Sequence, residues 1–346
     1  MNLLHPFEPG MQASNTRQRR RHKFLRALFA STALAASVSA LAQSDAQEPA
    51  RSYPVKPVRI IVPYPPGGLG DIFPRALALG LAEELGQPVI VDNRPGASQI
   101  IGAQLAAKAT PDGYTLFFAS VTNLAINVST QKNLPYDPLK DFAPVAFCFS
   151  TPLYLVTHPA VPATSVKELI ALAKSRPGKL TFASGGAGSS THLGAEMFKS
   201  MAGIDLVHIP YKGSAPAMAD VMGGHVDMMF EGGGINYAKD GKVRALAVTS
   251  SKRTMAAPAI PTMSEAGVPG FEATIWFGIV APAATPRAIV TRLSAAIGKV
   301  LNRPSFRERL PALDIAPATP EAFAQYIRSE IPKWRKVIAD AKIALE

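Results

Sequence analysis

Two short stretches concentrate the residues that could hold a small molecule. Tyr64-Pro65-Pro66-Gly67-Gly68-Leu69-Gly70-Asp71 follows the apolar run Val58 to Val62, and Ser184-Gly185-Gly186-Ala187-Gly188-Ser189-Ser190-Thr191-His192 follows Lys179 to Ala183. In each, glycines permit left-handed backbone angles and let another molecule approach the main chain closely. A helix start follows both. The first amides of a helix have no carbonyl partner and sit at the positive end of its dipole, carrying roughly half an elementary charge, which suits an oxyanion. Asp71 has the chemistry of an N-cap, and Pro74 fits the first helical turn. One such turn is also what a plain strand-to-helix connection looks like; its recurrence carries the functional reading.

The signatures of common enzymes are missing. Gly68 to Phe73 lacks the third glycine of a dinucleotide fingerprint, no Lys-Ser/Thr pair completes a P-loop, and no Gly-x-Ser-x-Gly elbow occurs. His158, His192, His208 and His225 form no helical pair with metal-ligand spacing, so no metal or cofactor is expected. Asp71 and Asp227 read either as an acid/base pair or as a cap and a hydrogen-bonded carboxylate. His192 reads as a base or a structural hydrogen-bonder, and Tyr64, Tyr211 and Trp276 as core aromatics or pocket walls. Lys212 is either a solvated charge or one that attracts an acidic solute, and Arg75 and Arg94 could reach a cleft.

To position these groups the chain needs a scaffold, and its composition supplies one. With 346 residues and 47% apolar content it is long enough for two packed domains and too apolar for disorder. Of the formal charge of +11, residues 1–42 hold +5, and no basic run with interleaved aromatics occurs beyond them, which argues against nucleic acid. That basic cluster precedes an apolar run from Leu25 to Val38 and Ala40-Leu41-Ala42, the layout of a secretory signal cleaved after Ala42. Arg20-Arg21 leaves the Sec and twin-arginine routes both open. Cys148 is the lone cysteine, so no internal disulfide forms, and Ala146 to Phe149 reads as a strand that buries it.

Apolar strands at Val58–Val62, Val89–Val91 and Tyr114–Ala119 alternate with helices, the second of them Ala-rich with Ile100, Ile101 and Leu105 on one face. This implies a parallel, doubly wound sheet with ligands beyond the strands' carboxyl ends, where Ser120, Thr122 and Asn123 fall. Another strand covers Leu153 to Val156. Ser165 to Glu168 is a capping box. A second sheet is expected from Lys179, with Leu193, Met197 and Met201 as the buried stripe of its first helix. Thr274 to Val280 returns to the first sheet, which makes domain 1 discontinuous. The expected division is 43–154 with 275–346, against 155–274, with two crossings as a hinge. Thr285-Pro286 and Thr319-Pro320 each read as an N-cap with proline at N1.

Residues 53–346 resemble the tripartite tricarboxylate transporter substrate-binding, or Bug, family. The resemblance is carried by Pro66-Gly67-Gly68-Leu69-Gly70-Asp71, Asn93-Arg94-Pro95-Gly96-Ala97, Thr110-Pro111-Asp112-Gly113-Tyr114, Gly188 to Leu193, Pro210-Tyr211-Lys212-Gly213, Pro261 to Gly267 and Trp276-Phe277-Gly278. It implies a type II periplasmic binding protein fold, two α/β domains closing on a small carboxylate held by main-chain amides, with no catalytic residue. The family's ligand loops fall on Tyr64, Gly67, Gly68 and Asp71; on Ser120, Thr122 and Asn123; on Ser184, Gly188, Ser189, Thr191 and His192; and on Tyr211 and Asp227. The family often continues Pro-Gly-Ala with Gly-Gly, where this chain has Ser98-Gln99. The expected partners of a monomeric chain are the permease subunits of such a transporter or a membrane sensor kinase. An acid/base enzyme on the same scaffold is the remaining alternative.

Overall fold

The computed structural model describes residues 52–311 and 313–340. The run Val58 to Val62 is β1 (Val58–Val62), buried at four of its five positions, and it leads into α1 (Leu69–Leu85) and β2 (Val89–Asn93). A 3-10 turn (Ala97–Gln99), α2 (Ile100–Ala107) and β3 (Thr115–Ser120) follow. A π-helical turn, Thr122–Ile126, then runs through Asn127–Thr130 toward β4 (Phe142–Pro152). The middle of the chain builds β5 (Tyr154–Thr157), α3 (Val166–Ser175), β6 (Thr181–Ser184), α4 (Ser190–Ala202), β7 (Val207–Pro210) and α5 (Ser214–Met222). It closes with β8 (Met228–Glu231), α6 (Gly234–Lys239) and β9 (Arg244–Val248). Last come β10 (Thr274–Pro282), α7 (Arg287–Leu301), α8 (Pro304–Arg309), β11 (Asp314–Ala318) and α9 (Pro320–Asp340).

These strands form two sheets, in the orders β11-β4-β10-β3-β1-β2 and β7-β6-β8-β5-β9. As the sequence suggested, β10 returns to the first sheet. Neither sheet is purely parallel, however. In the first, β1 pairs parallel with β2 and β3, whereas β10 runs antiparallel to both β3 and β4. In the second, β6 pairs parallel with β7 and β8, and β5 is antiparallel to β8 and β9. A continuous apolar run announces burial on both faces but not strand direction, which depends on the path of the connection. The second sheet therefore begins with β5, ahead of Lys179. Where the chain passes between sheets the two crossings are bonded together: Leu153 N donates to Thr249 Oγ1 at 2.8 Å, and Ala273 N donates to Thr249 O at 3.0 Å.

Core packing follows from this topology. Phe73 of α1 meets Phe149 of β4 at 4.3 Å between ring centroids, and Phe149 stacks on Phe277 of β10 at 4.7 Å. On the far side of β10, Trp276 is buried and its Nε1 donates to Glu330 Oε2 at 2.8 Å, so it is core and not a pocket wall. Cys148 is buried. A second core gathers Tyr154, Met218, Val221, Met229 and Val248.

Several local expectations change. α1 starts at Leu69 with Gly68 as its N-cap, which places Asp71 inside the first turn and Pro74 beyond it. In α2 the buried face is Gly102, Ala103 and Ala106, while Ile101 and Leu105 are exposed. A Cβ on Gly102 would come within 3.0 Å of the Arg94 carbonyl, so small residues let the helix approach the sheet. In α4 the stripe is Leu193, Gly194 and Phe198, with Met201 exposed. Ser165 caps α3 as expected, but the Glu168 carboxylate turns to the Thr164 amide at 2.7 Å. Thr319 caps α9, whereas α7 starts after Pro286 and leaves Thr285 outside. β11, unforeseen because Pro317 interrupts it, is an edge strand, where a missing N–H is tolerated.

Candidate functional site

Between the two sheets lies a cavity of about 310 Å³, walled by residues of three helix starts. Gly68, Leu69 and Gly70 belong to α1, Ser189, Ser190 and Thr191 to α4, and Gly213, Ser214 and Ala215 to α5. The α1 start is shaped by Tyr64, whose ring lies so near Gly70 that an added Cβ would be 2.5 Å away. At the start of α1, Asp71 N turns back on Gly68 O at 2.9 Å, and the amides of Leu69 and Gly70 lie outside the intrahelical ladder. No side chain caps α1 or α5, so neither competes with a solute for those donors.

The second glycine turn departs from the expected row of free amides. Gly185 N donates to Thr191 Oγ1 at 2.9 Å, Gly186 N to Ser184 Oγ at 3.1 Å, and Gly188 N to His192 Nδ1 at 3.0 Å. Ser189 caps α4 by accepting from His192 N, and Ser190 N donates to Thr122 Oγ1 across the cleft at 3.2 Å. Ser98 Oγ donates to the Ala187 carbonyl, a second link between the sheets. The turn is thus braced internally and anchored to the other side. The α5 start, not expected from sequence to face a ligand, adds donors where the α4 start has spent most of its own.

Of the residues singled out from sequence, Tyr64, Gly68, Ser189, Thr191, Tyr211 and Lys212 line the cavity. The others stand behind it or away from it. Asp71 is buried, and although burial pushes its carboxyl up, hydrogen bonds from Arg75, Asn93 and the Gly67 amide outweigh this and hold it below the usual range. It fixes the turn by accepting from Gly67 N at 3.0 Å and Asn93 Nδ2 at 2.8 Å. Arg75 is thereby tied to Asp71 at 2.9 Å and Arg94 to Asp92 at 2.9 Å, and neither lines the cavity. Ser120 and Asn123 hold Gln99, and Thr122 holds Ser190. Ser184 is buried against His208, with 2.6 Å between Oγ and Nε2, and Gly188 gives its amide to His192. The His192 and His208 rings stack at 4.0 Å; burial lowers both to about 4.

Asp227 is a correction of place. Its Oδ2 accepts from Thr181 N at 2.7 Å at the beginnings of β6 and β8, the ends of these strands remote from the helix starts. Ser214, Gln99, Phe277 and Glu231, none of them expected from sequence as a ligand contact, also line the cavity. Glu231 is 6% exposed, and its Oε2 has no hydrogen-bond partner among the described residues. Burial raises its pKa, and the Ser214 hydroxyl and the Gly233 and Gly232 amides offset this only in part. Burial likewise raises the Tyr64 hydroxyl, opposed by Ser120 and Gln99. Among the described wall residues Lys212 is the sole lysine or arginine. No group of three or more potential metal-ligating side chains occurs among the described residues.

Comparison with known proteins places this geometry in context. Residues 73–343 match the family described as the tripartite tricarboxylate transporter family receptor. Protein BugT of Bordetella pertussis is 40% identical over 302 residues, 86% of this chain and 93% of BugT. Rpa4515 of R. palustris, solved with adipate, superposes with a TM-score of 0.82 at 35% identity, covering 84% of this chain and 99% of that one. The periplasmic binding protein BugD gives a TM-score of 0.81 at 34% identity, covering 84% and 99% of the respective chains.

Proposed function

The chain belongs to the tripartite tricarboxylate transporter receptor family, with the two-sheet α/β fold of periplasmic binding proteins, and we propose that it captures a small carboxylate in the cleft between its sheets. The observation that carries this reading is the meeting of three helix starts, two without side-chain caps, at one cavity. Backbone donors and helix dipoles neutralise an acid group without an ion pair. A single lysine at the wall fits a mono- or dicarboxylate better than a fully ionised tricarboxylate. The adipate in Rpa4515 is the same class of ligand.

Binding rather than catalysis fits the positions of the side chains proposed as acid or base. Asp71 is saturated by its neighbours, His192 has its Nδ1 occupied by Gly188, and Asp227 lies at the other end of the second sheet. We take residues 43–154 with 275–346 as one lobe and 155–274 as the other, closing about the crossings at Leu153 and Thr249. A ligand that moves the lobes from mostly open to mostly closed, 1:99 to 99:1, needs about 5.5 kcal/mol of preference for the closed form. The loaded receptor then presents its solute to the permease subunits of a transporter or to a membrane sensor.

Export to the periplasm goes with this role. Among the described residues no helix is long and apolar enough to cross a membrane, and the leader read in residues 1–42 lies outside the described residues. The test is a thermal-shift panel of succinate, malate, adipate, glutamate and benzoate on protein freed of copurified solute by unfolding and refolding. At least one acid raises the melting temperature, and calorimetry then gives a saturable, one-to-one isotherm; no response to any acid refutes the reading.

A further inference from the structure

We infer that the Gln99 side-chain amide is a ligand donor, presented to the cavity by a strained left-handed segment of backbone; this rests on the carboxylate-receptor reading above. Its orientation follows from a relay that begins at a backbone N–H and so leaves no ambiguity of amide flip. Ser120 N donates to Asn123 Oδ1 at 3.1 Å, which makes Asn123 Nδ2 the donor end. Asn123 Nδ2 donates to Gln99 Oε1 at 2.6 Å, and Ser120 Oγ donates to the same oxygen at 2.7 Å. The Gln99 carbonyl is therefore saturated, and Nε2 is left with two N–H groups. The Tyr64 hydroxyl beside it can accept one. The other belongs to whatever fills the cavity that Gln99 lines.

Backbone conformation points the same way. Ala97, Ser98 and Gln99 have φ of 46°, 48° and 74°, and these are the only non-glycine residues with positive φ among the described residues. Outside glycine, such angles cost about 1–2 kcal/mol each and survive where surrounding contacts over-determine them, which is characteristic of sites that hold a ligand. Here those contacts are Asn127 Nδ2 donating to Ser98 O at 3.0 Å, the Ser98 hydroxyl on Ala187 across the cleft, and the Gln99 relay itself. A glycine at 99 would take the angle freely but carry no amide. Strain retained for a side chain that ends at a cavity wall is the signature of a positioned donor.

The test compares full-length Gln99→Glu and Gln99→Gly with the wild type, by calorimetric titration of succinate, malate, adipate, glutamate and benzoate. Gln99→Glu keeps an acceptor for Ser120 and Asn123 but removes the donor, and its buried carboxylate should lower the melting temperature at neutral pH. Its affinity for the acids should fall roughly tenfold to hundredfold, as expected for a lost hydrogen bond to a charged group. Gln99→Gly should melt no lower than the wild type, because relief of φ offsets the lost relay, and should also bind at least about tenfold more weakly. A purely structural glutamine would give the opposite pairing, a lower melting temperature in Gln99→Gly with affinity within twofold, and that overturns the assignment. Wild-type affinity in Gln99→Glu overturns it too. If no acid binds the wild type, the receptor reading fails first and this inference with it.

Discussion

Alanine at Gly213 separates closure of the cleft from stability of the lobes. Gly213 precedes α5 and has φ 132° and ψ 167°, a region open essentially to glycine alone. A Cβ there would lie 2.4 Å from Cδ and 2.7 Å from Cγ of Pro65, which follows β1 on the other side of the cavity. Two penalties result, and they act on different states. The backbone strain, about 1–3 kcal/mol, is present whether the lobes are open or closed and lowers the melting temperature of the ligand-free protein. On the proposed closure, the clash with the proline ring, of the order of 1–3 kcal/mol for overpacking, is felt only when the lobes meet. Subtracted from the closing free energy, it weakens ligand binding about 5- to 150-fold.

Pro65→Ala deletes the two atoms that the new methyl group would strike, so a double-mutant cycle isolates the wedge. The double variant should recover the affinity of Pro65→Ala alone while keeping the lowered melting temperature of Gly213→Ala. Calorimetric titration with a carboxylate and differential scanning calorimetry read the two effects on the same samples. Wild-type affinity in Gly213→Ala would refute the closure argument. So would a double variant that binds no better than Gly213→Ala, because the contact between Pro65 and Gly213 would then not be part of the closed state.

Two further predictions concern pH. His192 and His208 sit near 4 in the fold against 6.5 when unfolded, so the stability they contribute is complete above about 6.5 and is lost as pH falls toward 4. At about 1.4 kcal/mol per tenfold change in proton affinity this is at most about 3 kcal/mol for His192, and less for the more exposed His208; urea titrations at pH 7.5, 6 and 4.5 should show it, and equal midpoints would refute it. For Glu231 the sign is reversed, since burial raises its folded pKa and the ionised form is the strained one. Glu231→Gln should match the wild type in melting temperature below about pH 4.5 and exceed it increasingly above that; a constant offset at all pH values would mean packing, not charge, is responsible.

How far the site could be read in advance depended on what each residue type signals. Val58 to Val62 and the two glycine turns were legible because strand, turn and helix start leave a compositional mark, and so was the return of Thr274 to Val280 to the first sheet. Strand direction left no such mark, and neither did the membership of β5, because the same β-branched burial serves a parallel or an antiparallel neighbour. The faces of α2 were misjudged for a physical reason: Gly102 and Ala103 give the closest approach to the sheet, so larger side chains are turned outward.

The site itself inverts the usual expectation about polar residues. Asp71, His192 and Asp227 attract attention as chemistry-bearing types, yet each accepts a hydrogen bond from a backbone amide, at Gly67, Gly188 and Thr181. Residue type records a capacity for hydrogen bonding but not its direction. Direction is set by the topology that places one strand's end beside another's helix start. A receptor that recognises its solute through main-chain donors needs its conspicuous side chains to hold the main chain still, and beside Tyr64 and Tyr211 the cavity is reached by residues whose types announce little: Gln99 in a left-handed turn, Ser214 at an uncapped helix start, and Gly70 and Gly213, whose missing side chains make the room.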